Sequence, residues 1–297
     1  MALFEAGDAT AADTPSHARA PEGLSSGGSV LDVGCGGGRA AFAVAPQASL
    51  VIGVDHQPGM LDAFPAAAER RGLSHAERRG LSHQEVIGDW PQVADDAPVA
   101  DVVVCHHVAY NVADLAAFVT ALDAHARRRI VLELPRRHPL SGMAPLWRHF
   151  WNLERPEHPT AQDALAVVRE QGFAAEILEW DEPSTARVPS KITPEQQVEY
   201  MRIRLCLTPD RDPEIAEVMA RLPDTPRQLA TIWWDAAPDR ELAGPQNPAG
   251  SRRLRMGAPW PGRCPGSAGS EYDGNRYTCP DIRGRSRAWR SGPRRVP

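Results

Sequence analysis

The chain has 297 residues, 42% of them hydrophobic and 24% charged, with a net charge of −5. This balance excludes a fibrous or wholly disordered protein, and the length admits one large domain plus an appendage. No apolar run reaches the roughly eighteen residues that a membrane span needs, and Met1 to Gly28 lacks the basic and apolar segments of a secretory leader, so a cytoplasmic protein is expected.

Five cysteines, Cys35, Cys105, Cys206, Cys264 and Cys279, are odd in number and lie mostly in apolar runs, which favours reduced thiols. Charge is uneven. From Arg240 onward twelve Arg stand against four acidic residues, a net of +8, which leaves −13 on residues 1–239. An acidic body matches nucleic-acid phosphates poorly, so no specific nucleic-acid partner is expected, and no membrane partner.

Residues 1–28 are rich in Ala, Gly, Ser and Asp without an apolar period, and a flexible lead-in with no packed element is expected there. A strand over 29–33 runs into Gly34-Cys-Gly-Gly-Gly38, and an Ala-rich helix over 39–45 follows until Pro46. Gly34, Gly36 and Gly38 admit positive φ and let a ligand lie against the backbone. A second strand over 50–54 ends in Asp55, about twenty residues past the loop, where a strand-end carboxylate is placed to accept both hydroxyls of a ribose. The segment 58–71 has one apolar helical face, interrupted by Pro65. An identical tandem repeat follows, Ala-Glu-Arg-Arg-Gly-Leu-Ser-His at 68–75 and again at 76–83. Eight residues are not a whole number of helical turns, so one copy is expected to bulge as a surface loop.

Strands over 85–87 and 101–105 end in Gly88-Asp89-Trp90 and in His106-His107. A helix over 114–126 carries Leu115, Phe118, Val119 and Leu122 at helical spacing, and a strand over 130–134 follows. Strand-then-helix units of this length dictate a parallel sheet with right-handed crossovers. Further on, a helix opens at Thr160-Ala-Gln-Asp163 and ends at Gly172, and a strand covers 174–180. Two more helices open at Thr193-Pro194-Glu195-Gln196 and at Asp212-Pro213, before a last strand over 228–234. Past Asp235 the composition turns to Gly, Pro, Arg and Ser, so a disordered basic tail is expected over 236–297. With no His, Cys264 and Cys279 there cannot complete a four-ligand metal site.

Val30-Leu-Asp-Val-Gly-Cys-Gly-Gly-Gly38 resembles motif I of the class I SAM-dependent methyltransferases: apolar residues, an acid, then GxGxG. The resemblance extends over about 29–235, with Asp55 and Asp89 at matching places. It implies an α/β fold: a Rossmann-like doubly wound, mostly parallel seven-stranded sheet with an antiparallel last strand. A two-helix insert over 190–222 would shape the acceptor pocket. The resemblance implies that Gly34, Gly36 and Gly38 back the methionine and ribose, that Asp32 orients the amino group, and that Asp55 holds the ribose hydroxyls. It further implies that Asp89 meets the adenine amino group, that Met60 or Trp90 covers the adenine face, and that His106 meets the cofactor through its backbone.

The activity implied is methyl transfer from S-adenosylmethionine to an O, N or C atom of a small-molecule acceptor, by a monomer or homodimer. His106, His107 and Tyr110 follow the fourth strand at the carboxyl edge of the sheet, where one of them is placed to orient or deprotonate the acceptor. Cys105-His106-His107-Val108 stands where the family's Asn-Pro-Pro-Tyr signature for amino methylation would, which favours a small molecule. Arg136, Arg137, His138, Trp147, His149, Trp151 and Tyr200 are expected on the acceptor side. His138, His149 and His158 have no ligand spacing, so no metal is expected. The alternatives are a catalytically silent SAM-binding regulatory module and an NAD-dependent oxidoreductase. Arg39 disfavours the second, because it occupies the sixth position of G-x-G-x-x-G, where close packing needs Gly or Ala.

Overall fold

The structure, a computed structural model, describes residues 14–44, 47–65, 82–155, 157–182, 193–223 and 226–237. Seven strands form one sheet: β1 (Gly28–Val33), β2 (Ala48–Asp55), β3 (Ser82–Ile87), β4 (Ala100–His106), β5 (Ala126–Pro135), β6 (Glu176–Asp181) and β7 (Gln228–Asp235). Their order is β3-β2-β1-β4-β5-β7-β6. The first five pair in parallel, and β7 runs antiparallel to both β5 and β6. This is the doubly wound arrangement expected. The chain winds from β1 outward to β3 and then returns to start β4 beside β1. The carboxyl ends of β1 and β4 therefore flank a crevice where the winding reverses, which is where ligands bind in such sheets.

Side chains alternate across the sheet with a period of two, and this sorts the core. Val30, Val51, Val102, Val104, Val131 and Trp233 face one layer, which contains helices α1 (Pro15–Glu22), α2 (Arg39–Val44) and α3 (Pro58–Leu61). Leu31, Ile52, Val103, Ile130, Leu132 and Trp234 face the other, formed by α4 (Leu115–Ala124) and α6 (Ala161–Glu170). Both faces being covered, the central strands read as continuous apolar runs. Polar residues interrupt them on the α1 side. Asp32 follows the parity of Val30, His106 that of Val104, and Glu133 that of Val131.

A separate apolar cluster joins α5 (Ala144–Trp151) to α7 (Pro194–Arg204) and α8 (Asp212–Arg221). Met143, Leu146, Leu205 and Ile215 are its buried members. The insert expected over 190–222 is therefore part of a three-helix lobe. Both expected helix starts are present, and α7 carries a full capping box between Thr193 and Gln196.

Three expectations need correction. Residues 1–28 include a packed helix: α1 is capped by Thr14, starts on Pro15 and buries Ser16 and Ala20. It has no apolar period because polar contacts hold it. Ser16 Oγ and Thr231 Oγ1 are 2.7 Å apart, and the Arg19 guanidinium lies 4.4 Å over the Trp233 ring. Secondly, β5 begins at Ala126 rather than 130, because Arg129 extends the ladder, pairing with Asp235 and donating to Glu22. Thirdly, α5 is a helix in a stretch to which no element was assigned; its Pro145 falls in the first turn, where proline is tolerated.

The bulge expected from the repeat over 68–83 lies outside the described residues except for Ser82 and His83, which open β3 opposite Leu50 and Val51. The tail expected over 236–297 lies outside them beyond residue 237. Among the described residues no helix is long and apolar enough to cross a membrane.

Candidate active site

The loop after β1 is set by three glycines with φ of +74° at Gly34, +49° at Gly36 and +76° at Gly38. The Gly34 and Cys35 N–H groups donate to the Val54 carbonyl at 2.8 and 3.0 Å, which fastens the loop to the end of β2. A Cβ on Gly34 would stand 2.3 Å from Val108 Cγ2, and one on Gly38 2.3 Å from the Phe42 ring. At Gly36 nothing lies within 4 Å. Its N–H donates to Asp55 Oδ2 at 2.9 Å, while Gln57 N–H donates to Asp55 Oδ1 at 2.9 Å. Asp55 therefore clasps the loop and also holds the backbone of Gln57 just before α3, and the space in front of Gly36 is open.

Asp32 is buried under α2 and accepts a hydrogen bond from the Ala41 N–H at 3.1 Å. Burial pushes its carboxyl up to about 7; the Ala41 bond opposes this and the Asp55 charge adds to it. Next to it, at the end of β4, His106 Nε2 is buried with no hydrogen-bond partner. Burial lowers this imidazole to about 4, with Glu133 opposing and His17, His107 and Arg39 assisting. The His17 ring of α1 stacks on it at 5.8 Å and 21°.

His107 adopts a left-handed backbone, φ +62°, uncommon for a residue with a Cβ. Its N–H donates to the Glu133 carbonyl at 2.7 Å, and its Nε2 lies 3.2 Å from Glu133 Oε1. Glu133 is 6% exposed and also accepts from Thr14 Oγ1 at 3.2 Å. Burial alone would raise its carboxyl, but the imidazoles of His106 and His107 and hydrogen bonds from His107 and Ser16 hold it below the usual carboxylate range.

These groups line one pocket of about 90 Å³, partly open to solvent. Asp32, Gly34 and Cys35 form its β1 side, Arg39 and Ala40 its α2 side, and His17, His106, His107 and Glu133 the remainder. Of the residues singled out in the sequence, Asp32, Gly34, His106 and His107 thus meet in the pocket, with Gly36 and Asp55 joined at the loop. Asp89 is exposed two residues past Ile87, the partner of Asp55 across β2 and β3, so it stands at the same sheet edge. Met60 is half-buried on α3.

Trp90 does not line the pocket. Its ring packs edge-on against His125 at 4.9 Å, beside the core under α4. Tyr110 is half-buried, with its ring edge-on to His138 at 5.6 Å, and burial raises its hydroxyl while Arg227 opposes.

The residues expected on the acceptor side are mostly engaged elsewhere. Arg136 pairs with Glu179 at 2.7 Å and His149 with Glu214 at 2.7 Å, Trp151 Nε1 donates to the Leu205 carbonyl at 2.8 Å, and Tyr200 lies under Arg204. Trp147 packs with the lobe cluster. His17, Arg39 and Glu133 were not singled out as site residues. An acid inside the run Ile130 to Leu134 was the available signal for Glu133, since a strand buried on both faces tolerates a carboxylate only with partners. Among the described residues no three His, Cys, Asp or Glu are arranged to hold a metal.

Residues 31–129 match the family model described as a methyltransferase domain. The matched stretch contains the glycine loop, Asp55, Asp89 and both histidines after β4, whereas α1, Glu133 and the helical lobe lie outside it. The whole sheet, in the order given above, is a Rossmann-like doubly wound α/β sheet whose last strands run antiparallel. A protein of Haemophilus influenzae without a described function is 35% identical over 110 residues, which is 37% of this chain and 38% of that protein. The chain therefore spans less than two fifths of that relative. Among solved structures, the YcgJ protein from Bacillus subtilis is 17% identical with a TM-score of 0.47, covering 74% of this chain and 97% of that one. Magnesium protoporphyrin IX methyltransferase from Synechocystis, with SAH bound, is 15% identical with a TM-score of 0.43, covering 69% and 73%.

Proposed function

We propose that the protein transfers a methyl group from S-adenosylmethionine to a small-molecule acceptor. The observation that carries this reading is the clasp of Gly36 by Asp55 with open space in front of it, continuous in sequence with a pocket that holds two carboxylates. The residues fit such a cofactor. Asp55 keeps lone pairs beyond the two it gives to backbone N–H groups, and these suit ribose hydroxyls. Glu133, held ionised, gives the pocket negative charge that suits a cationic amino group and a sulfonium, and a cation beside Asp32 would favour its ionised form. Asp89 stands at the sheet edge for the adenine amino group, and Met60 is placed for the adenine face in preference to Trp90. When bound, the cofactor supplies a methyl group activated by positively charged sulfur. The chain's own contribution is to hold the acceptor in line and keep water out. The acidic body and the small pocket support a small molecule over a nucleic acid.

Calorimetric titration with SAM, SAH and NAD tests the cofactor. Binding of SAM and SAH is expected in the micromolar range, lost in Asp55→Ala and weakened in Asp55→Asn, which keeps an acceptor for the Gly36 N–H but not the charge. NAD binding without SAM binding would overturn the reading.

A further inference from the structure

We propose that His107 is the general base for the acceptor and that Glu133 is its positioning residue, held in place by α1. The inference rests on the methyltransferase reading above and names the acceptor class: a molecule that is methylated on O–H or N–H and releases that proton.

The argument begins with which ring nitrogen carries hydrogen. Glu133, ionised, can only accept, and it faces His107 Nε2 at 3.2 Å. Arg227 can only donate, and its Nη2 faces His107 Nδ1 at 3.5 Å. Both contacts require the same tautomer, with hydrogen on Nε2 and a lone pair on Nδ1. The partner of one imidazole nitrogen thus decides the chemistry of the other.

The second step is rigidity. The His107 N–H donates to the Glu133 carbonyl, so backbone and side chain of one residue are both tied to Glu133. Glu133 is tied in turn to Thr14 and Ser16 at the start of α1. Arg227, by contrast, is 43% exposed and its other partner, Glu182, is 3.9 Å away. It is the group that yields when an acceptor O–H or N–H approaches Nδ1.

The third step separates the two histidines. His106 Nε2 is buried without a partner and its ring is held neutral beneath His17, so it is a wall of the pocket rather than a proton store. Around His107 the charged or titratable groups are Glu133 on β5, His106 on β4, His17 on α1, Asp32 on β1, Cys35 in the glycine loop, Arg39 on α2 and Arg227 before β7. In the reaction the acceptor lone pair forms the new bond to the methyl carbon. The carbon–sulfur bond breaks with its electron pair going to sulfur, and the acceptor proton passes to Nδ1.

The test begins on the full-length protein without ligand, by nitrogen-15 NMR of the imidazole rings at pH 8. His107 should show hydrogen on Nε2 and none on Nδ1, and Glu133→Gln should give a tautomer mixture. A wild-type ring protonated on Nδ1 overturns the proposal, whatever the variant does and whether or not SAM binds. Separately, SAH release is measured over pH 6 to 9 with a panel of phenols and primary amines. His107→Gln should lower kcat about 100-fold or more with SAM affinity kept, and flatten the acid limb. Glu133→Gln should lower kcat and move that limb, a change that loss of packing alone would not produce. Unchanged kcat in His107→Gln sinks the base assignment. If no panel member is methylated, the ring measurement decides.

Discussion

The three loop glycines differ in what they exclude, and that difference separates stability from binding. An added Cβ at Gly34 meets Val108 at 2.3 Å in a left-handed backbone. Gly34→Ala should therefore unfold by about 3 kcal/mol more readily, by strain and overpacking together. Gly36 has open space, so Gly36→Ala carries only the left-handed penalty of about 1 kcal/mol. It should melt within a few degrees of wild type yet lose at least tenfold in SAM affinity, because its methyl group occupies ligand space. Denaturant unfolding and calorimetry on the pair check both halves. Asp32 gives a prediction in pH. Unfolded, it ionises near 3.8, and folded near 7, so between those values the folded state keeps an extra proton and stability falls as pH rises, levelling above 7. The gap corresponds to about 4 kcal/mol at most. His106, lowered to about 4, acts with the opposite sign between 4 and 6.5. The difference between wild type and Asp32→Asn isolates the acid: the variant's relative stability should grow from pH 4 to pH 7 in urea unfolding of the ligand-free protein. A flat difference would mean that Asp32 ionises normally in its buried place.

Among the elements, α1 changes the picture of the site most, because it supplies one wall and anchors Glu133. Ser16 is fully buried, bonded to the fully buried Thr231 and close to Glu133. Ser16→Ala strands both partners, so it should cost about 1–3 kcal/mol in chemical unfolding, against nearly nothing for a serine in a loose leader. Why α1 escaped sequence reading is now physical: its buried residues are Ser16 and Ala20, and its contacts are hydroxyls and a cation over Trp233, none of which leaves a hydrophobic period. The strands β1, β2 and β4 were legible for the opposite reason, since burial on two faces makes each an apolar run. Asp32, Asp55 and the glycines were legible because their offsets along the chain suffice. Glu133, His17 and Arg227 were not, because only the pairing of β4 with β5, the packing of α1 and the return of β7 bring them to the site. Trp90 illustrates the same limit: the sequence places it at the sheet edge, but its ring turns toward His125.

At the scale of the molecule, the described residues hold two kinds of core. The layers on either side of the sheet share the strands between them, so what disturbs one disturbs the other. The lobe of α5, α7 and α8 instead closes on itself around Met143, Leu146, Leu205 and Ile215, none of which belongs to the clusters on the sheet. A unit with its own core opens with its own free energy. Ile215 is fully buried there, and Ile215→Ala should cost about 2–5 kcal/mol within the lobe. Hydrogen exchange followed by mass spectrometry should then show lost protection over 144–151, 194–204 and 212–221, with β1, β4 and β5 protected as before. SAM affinity should stay at its wild-type value, because the Gly36 and Asp55 clasp rests on β1 and β2 alone. Equal loss of protection in the strands would show one cooperative unit, in which case the lobe supports the sheet. Protection lost only in the lobe would leave it free to close over an acceptor without disturbing the cofactor edge, which separates the two binding events in structure.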